Sequence, residues 1–339
     1  MPVRPLAVQV GVGVGLAAAA AYAFQWASGG IDSLFPSDAD LFRRVATDPF
    51  GSGAAIDAPE LYGDAYRYGR ILYPLLAWVV ALGRSGWVPW TLLLLGAVGL
   101  GLAAACAVEL LGRRGVGQAR MLWLAAVPAV WLGVRGAFSE WPLLGLLLLG
   151  LLLEIDGRRL GAAVTFSLAL LGREALALAL VPMAVRDFRA AGWRGLRRWA
   201  VVASVPAAWH LWVWVRVGSF PVFDPSLSRR EAVDWPVRGL LTAFGEQGAT
   251  MTLMLVAGLG LVTVIAATVI AVRRPWHPVT AAAMILALTI VVFGPNVWRF
   301  SGEALRTMMY ALVLTAVAVV AAWGGAPPEG EASPDAPGR

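Results

Sequence analysis

Two aspartates one residue apart, Asp38 and Asp40, open the most polar stretch of the chain. A carboxylate placed beside a hydroxyl can take its proton during group transfer. The same Asp-x-Asp spacing also suits a divalent cation held by oxygen ligands. A plainer role exists for Asp40, because Arg43 and Arg44 follow at i+3 and i+4, where a helix pairs opposite charges. Further along, Arg67 and Arg70 bracket Tyr68. Guanidinium groups bind phosphate bidentately, or they anchor a helix end at the lipid headgroups. Glu140, the adjacent pair Arg173 and Glu174, and Arg306 complete the candidate substrate-facing set. Arg173 and Glu174 either line a site or neutralise each other as a structural pair. Together these residue types suit a transfer reaction in which a carboxylate activates an acceptor hydroxyl while arginines hold a phosphate leaving group.

The elements that must carry these residues are apolar. Of 339 residues, 59% are hydrophobic and 14% charged, and the mean hydropathy is +0.72. Soluble domains average about 25% charged residues, so this chain lacks the polar surface to cover a water-exposed globule. The apolar runs are continuous rather than alternating, which excludes an outer-membrane barrel. The net charge of +6 comes entirely from arginine, in short clusters such as Arg113-Arg114 and Arg273-Arg274. Membrane-protein loops carry that pattern, whereas a nucleic-acid partner needs a basic face. One cysteine, Cys106, permits no internal disulfide, and two histidines do not supply a histidine-rich metal site.

A helix spans a bilayer with about 20 apolar residues, and such runs recur from end to end. Residues 6–24 read as an uncleaved first helix. Residues 26–70 form a long first outer loop with seven acids against four arginines; its length points to function, and its aromatic content to order. The 13 apolar residues at 71–83 are too short to cross and read as an interfacial or re-entrant helix. Spans follow at 88–111, 121–134, 141–155, 199–217, 251–272, 278–295 and 304–323. The run 160–185 is interrupted at its centre by Arg173-Glu174. A charged pair at mid-membrane is expensive, so this run reads as two short helices meeting at a polar break. The expected fold is therefore all-α and polytopic, with about ten transmembrane helices over residues 1–325 and a disordered tail at 326–339. Short arginine-rich loops set the cytoplasmic side, leaving the acidic first loop outside.

The stretch from Asp38 through Asp48-Pro49-Phe50 to Tyr66-Arg67-Tyr68-Gly69-Arg70-Ile71-Leu72-Tyr73-Pro74-Leu75-Leu76-Ala77 resembles the first-loop signature of bacterial membrane proteins in the GT-C glycosyltransferase superfamily. The similar group forms cell-surface glycopolymers and is distantly like the GPI-anchor mannosyltransferases. Ser139-Glu140 and Leu171-Gly172-Arg173-Glu174-Ala175 resemble its later polar marks. The resemblance implies a bacterial plasma-membrane enzyme that takes a mannose-like or pentose sugar from a polyprenyl-phosphate donor. The acceptor would be a glycan or lipid at the extracytoplasmic face. Asp38 falls at the family's catalytic base, although Ser37-Asp38-Ala39 stands where Tyr-Asp-Gly is usual and Asp40 is an extra acid. Arg67, Arg70 and Arg173 or Arg306 would hold the phosphate; no cofactor is assigned, and a divalent metal stands as an alternative. A flippase for a lipid-linked saccharide is the rival, as is a non-catalytic subunit with the same fold. Transporters show paired halves with matching broken helices, and here the break at 173–174 occurs once.

Overall fold

The computed structural model describes residues 4–36, 38–51, 64–128, 136–221, 234–273, 277–299 and 301–324, and the side chains of Asp38, Asp64, Trp123, Ala126 and 301–303 are not among them. All its regular elements among these residues are helices. Five are long and apolar enough to cross a membrane: Pro5–Gly29, Ser85–Gly112, Trp193–Val217, Met251–Arg273 and Ala304–Trp323. The tail at 326–339 and residues 52–63 of the first loop lie outside the described residues.

The chain begins with α1 (Pro5–Gly29). The folded part of the first loop follows: a 3-10 turn at Ile31–Leu34, α2 (Asp38–Thr47) and α3 (Asp64–Gly69). Next come α4 (Leu72–Val80) and α5 (Val88–Gly112). At nine residues, α4 covers about 14 Å, less than the bilayer core of about 30 Å, in keeping with a segment too short to cross. Helices α1 and α5 meet along small residues. A Cβ on Gly101 would stand 2.6 Å from the Gly11 carbonyl oxygen, so the two backbones touch where lipid gives no hydrophobic drive and close packing must.

Over the described part of the expected span 121–134, residues 121–128, the helix is interrupted. After α6 (Gln118–Met121), a 3-10 turn runs over Leu122–Ala126, and Val127 is extended with ψ 116°. Pro128 is the cause, since a proline's ring pushes the preceding residue out of the helical region. Residues 129–135 lie outside the described set.

Helix α7 (Glu140–Ile155) packs on α5, and α8 (Arg159–Gly172) packs on α7. The polar break is real. Helix α8 stops at Gly172, Arg173 is extended (φ −160°, ψ 105°), and a 3-10 turn at Glu174–Leu176 leads into α9 (Ala177–Ala191). At 14 and 15 residues, these two arms cover about 21–23 Å each; Arg173 pairs with Glu140 at the start of α7 and Arg186 with Glu154 near its end, so the hairpin returns to the end from which it started. Helix α10 (Trp193–Val217) begins within the arginine run, six residues before the apolar stretch at 199. It is followed by α11 (Arg238–Gln247), α12 (Met251–Arg273), α13 (Pro278–Ile290), α14 (Pro295–Arg299) and α15 (Ser301–Gly324). Helices α12, α13 and α15 form a second group of neighbours, joined to the first where α9 packs on α13 and α15 touches α5 and α7.

Candidate functional site

Three elements distant in sequence bring charge to one end of the bundle. The helix start at Glu140, the broken turn at Arg173-Glu174, and the first turns of α15 converge there. The Glu140 side chain is 4% exposed; its Oε1 accepts from Arg173 Nη1 at 3.1 Å and lies 3.2 Å from Arg306 Nε as an ion pair. Its Oε2 is buried and accepts no hydrogen bond among the described residues. Arg306 lies over the Phe138 ring at 5.0 Å, and Arg173 over the Tyr310 ring at 5.4 Å.

Beside this knot, Arg70 grips Glu174 through two contacts, Nη2 to Oε1 at 3.1 Å and Nε to Oε2 at 3.3 Å. Burial alone raises the Glu174 pKa, but the Arg70 charge and its hydrogen bonds outweigh that and hold the carboxyl well below its ordinary range, with Arg173 adding to the effect. Glu174 is therefore within electrostatic reach of both arginines, and the two pairs form one network. Arg70 also sits 3.9 Å over the Tyr66 ring, and Arg67 lies 5.5 Å from the same ring. Three arginines thus pair with two glutamates, with Arg67 beside them.

The first loop reaches the same end. The Ala137 amide donates to the Leu34 carbonyl at 3.0 Å, and the Tyr22 hydroxyl donates to the Gly136 carbonyl at 3.4 Å. Those bonds tie the chain just before Asp38 to the turn that presents Phe138 and Glu140. Asp38 begins α2, and its side chain lies outside the described residues. Asp40 is engaged: Oδ1 receives Arg43 at 2.6 and 2.9 Å, and Oδ2 receives Arg44 at 2.9 Å. This is the helical i+3 and i+4 pairing that the spacing allows. Among the described residues no group of three or more His, Cys, Asp and Glu could hold a metal ion.

Tyr68 points inward. Its hydroxyl donates to the Asp48 carbonyl at 3.0 Å, and its own carbonyl receives Trp209 Nε1 at 2.7 Å. His210 contacts the Gly69 carbonyl at 3.3 Å, and Arg216 donates to the Gly51 carbonyl at 2.8 Å. Helix α10 therefore clamps the backbone on either side of residues 52–63 and fixes where Arg67 and Arg70 emerge.

Two further ionic clusters lie at the opposite end, and reading arginine runs as loop charge misses them. Buried Glu154 receives Arg186 at 2.5 Å and Arg198 at 2.6 Å; Asp187 receives Arg198 and the Trp199 indole N–H. Glu109 pairs with Arg113 at 2.8 Å and accepts the Arg4 amide at 3.0 Å, while Arg113 also reaches Asp156. The signal available in sequence was the acids themselves, each set among arginines at helix ends.

Comparison with family models, with curated proteins and with solved structures finds no match to this chain.

Proposed function

We propose that the protein is a GT-C-like membrane glycosyltransferase that moves a sugar from a polyprenyl-phosphate donor to an extracytoplasmic glycan or lipid acceptor. The observation that supports this reading best is the gathering of Arg70, Arg173 and Arg306 with Glu140 and Glu174 at one end of an apolar helical bundle, with Arg67 beside Arg70 on the Tyr66 ring. In this reading a lipid phosphate presented from the bilayer meets these guanidinium groups, which bind phosphate bidentately. The acceptor oxygen attacks the anomeric carbon with inversion, the carbon–oxygen bond to phosphate breaks, and the polyprenyl phosphate leaves into the arginine cluster. The acceptor proton passes to an aspartate of the first loop. Both oxygens of Asp40 are taken up by Arg43 and Arg44, which favours Asp38 as that base. Positioning and charge stabilisation carry such a step, because a phosphate is already a good leaving group.

The test is sugar transfer by purified protein in lipid, with radiolabelled polyprenyl-phosphate mannose and pentose and a crude glycopolymer acceptor. The reading expects Asp38→Asn to lose about 100-fold or more in rate, the usual contribution of a general base. Asp40→Asn should retain most of the activity. Donor binding without turnover by the wild type would instead favour a flippase or a non-catalytic subunit.

A further inference from the structure

A second feature lies away from the charged network, between α12, α15 and the segment around α6. It is a groove of about 670 Å³. One wall is a stripe of α15, through Leu312, Thr315, Ala316, Val319 and Trp323. Their spacing puts them on one helical face, about 16 Å long from the first to the last. Helix α12 faces them with Leu259 and Val262, and Pro128 closes the third side. Val262 is 62% exposed, so the groove opens to the surroundings of the bundle. The Thr315 hydroxyl is buried in this wall and makes no hydrogen bond among the described residues.

One end of the groove is charged. Arg120 lines it and donates to the Trp323 carbonyl at 3.4 Å. Trp323 is the last residue of the apolar run Ala304–Trp323, so the guanidinium stands where a span meets the headgroup layer. Arg306 lies in the second turn of the same helix, 17 residues earlier, which puts about 25 Å of helix between this cation and the Glu140 network. An apolar trough within the depth of a span, ending in a cation at headgroup level, matches a lipid in both halves. Acyl chain fills the trough and phosphate meets the arginine, as in basic pockets between transmembrane helices.

We infer that this groove is a binding site for one anionic glycerophospholipid of the leaflet at the Arg120 end, separate from the arginine network at the other end. Its occupant would brace α15 against α12 and the α6 segment, and α15 carries Arg306 to the network.

Native mass spectrometry of the full chain tests this, after release from nanodiscs of equimolar phosphatidylglycerol and phosphatidylcholine with matched chains. The wild type should retain one lipid, with phosphatidylglycerol in excess. Arg120→Gln should keep the retained lipid but lower the phosphatidylglycerol preference about fivefold, the effect of one charge near a headgroup. Ala316→Trp, which fills the trough, should lose the lipid. Val262→Trp fills it from the exposed wall and serves where Ala316→Trp disturbs folding, as judged by helicity and elution volume. Wild-type protein that retains no lipid overturns the assignment, and so does retention unchanged in the filled variants. A phosphatidylglycerol preference that survives Arg120→Gln does the same. Displacement of phosphatidylglycerol by equimolar polyprenyl phosphate would give the groove to an isoprenoid carrier, and would likewise overturn the phospholipid assignment.

Discussion

Removing the charge of Glu140 is the sharpest perturbation the structure offers. Its side chain is 4% exposed, and a single oxygen, Oε1, neutralises Arg173 at 3.1 Å and Arg306 at 3.2 Å. Glu140→Gln keeps the shape and one acceptor oxygen but leaves two guanidinium groups without their shared counter-charge. Breaking a buried pair from one side costs about 3–5 kcal/mol, because the partner charge stays desolvated. A neutral acceptor recovers roughly 1 kcal/mol of that. The expected loss is therefore about 2–4 kcal/mol. At roughly 2.1 cal/mol/K of unfolding entropy per residue, a chain of 339 residues converts this into a fall in Tm of about 3–6 °C.

The check is thermal unfolding in one detergent, followed by circular dichroism, across a double-mutant cycle. Arg306→Gln alone also strips Glu140 of one partner and should destabilise. Combined with Glu140→Gln it removes a cation that has lost its Glu140 partner, so the double variant should lie above the sum of the singles by about 1–3 kcal/mol, the coupling typical of residues in one network. Strictly additive effects, or a Glu140→Gln Tm within about 1 °C of wild type, would refute the electrostatic account of this end of the bundle.

Acid should act on the neighbouring pair. Glu174 is held below its ordinary value of 4.5, so the stability it contributes is fully present above that pH and is lost as pH falls through the lowered value. Wild-type Tm should drop more steeply than that of Glu174→Gln when pH is taken below 4.5, and parallel curves would contradict the pairing. Asp40→Asn removes an ion pair whose arginines are partly solvated, and should cost only about 0.3–1 kcal/mol in the same unfolding assay. Gly101→Leu should separate α1 from α5, because even a Cβ there meets the Gly11 carbonyl oxygen at 2.6 Å; a cysteine pair placed across the seam should then crosslink poorly. Arg198→Gln takes from Glu154 and Asp187 a shared partner at the far end, where Arg186 still pairs with both, and at most about 2–4 kcal/mol of destabilisation is expected by the argument used for Glu140.

What sequence could reveal here follows from what lipid demands. A residue's water-to-lipid transfer is local, so hydropathy places the helix over 88–111 within one residue of Val88–Gly112, and 251–272 within one of Met251–Arg273. The cost of charge in lipid is local too, which is why Arg173-Glu174 marks a break. Backbone stereochemistry is less visible to an apolar count. Residues 121–134 are apolar throughout, yet a 3-10 turn runs over Leu122–Ala126, and Pro128 holds Val127 extended. The start of α10 was hidden for the opposite reason, since Arg194, Arg197 and Arg198 look like loop and lie on helix.

Pairing is the least local quantity. From spacing alone Arg173 and Glu174 could neutralise each other, but an extended residue at 173 places the two side chains apart. Each takes a partner from elsewhere: Glu174 takes Arg70, 104 residues before it, and Arg173 takes Glu140, 33 residues before it. The break in the hairpin is therefore more than a concession to charge in lipid. A continuous helix would present neighbouring charges about 100° apart around its axis. By unwinding one turn, the chain joins the first loop to the start of α7, and through Glu140 to α15.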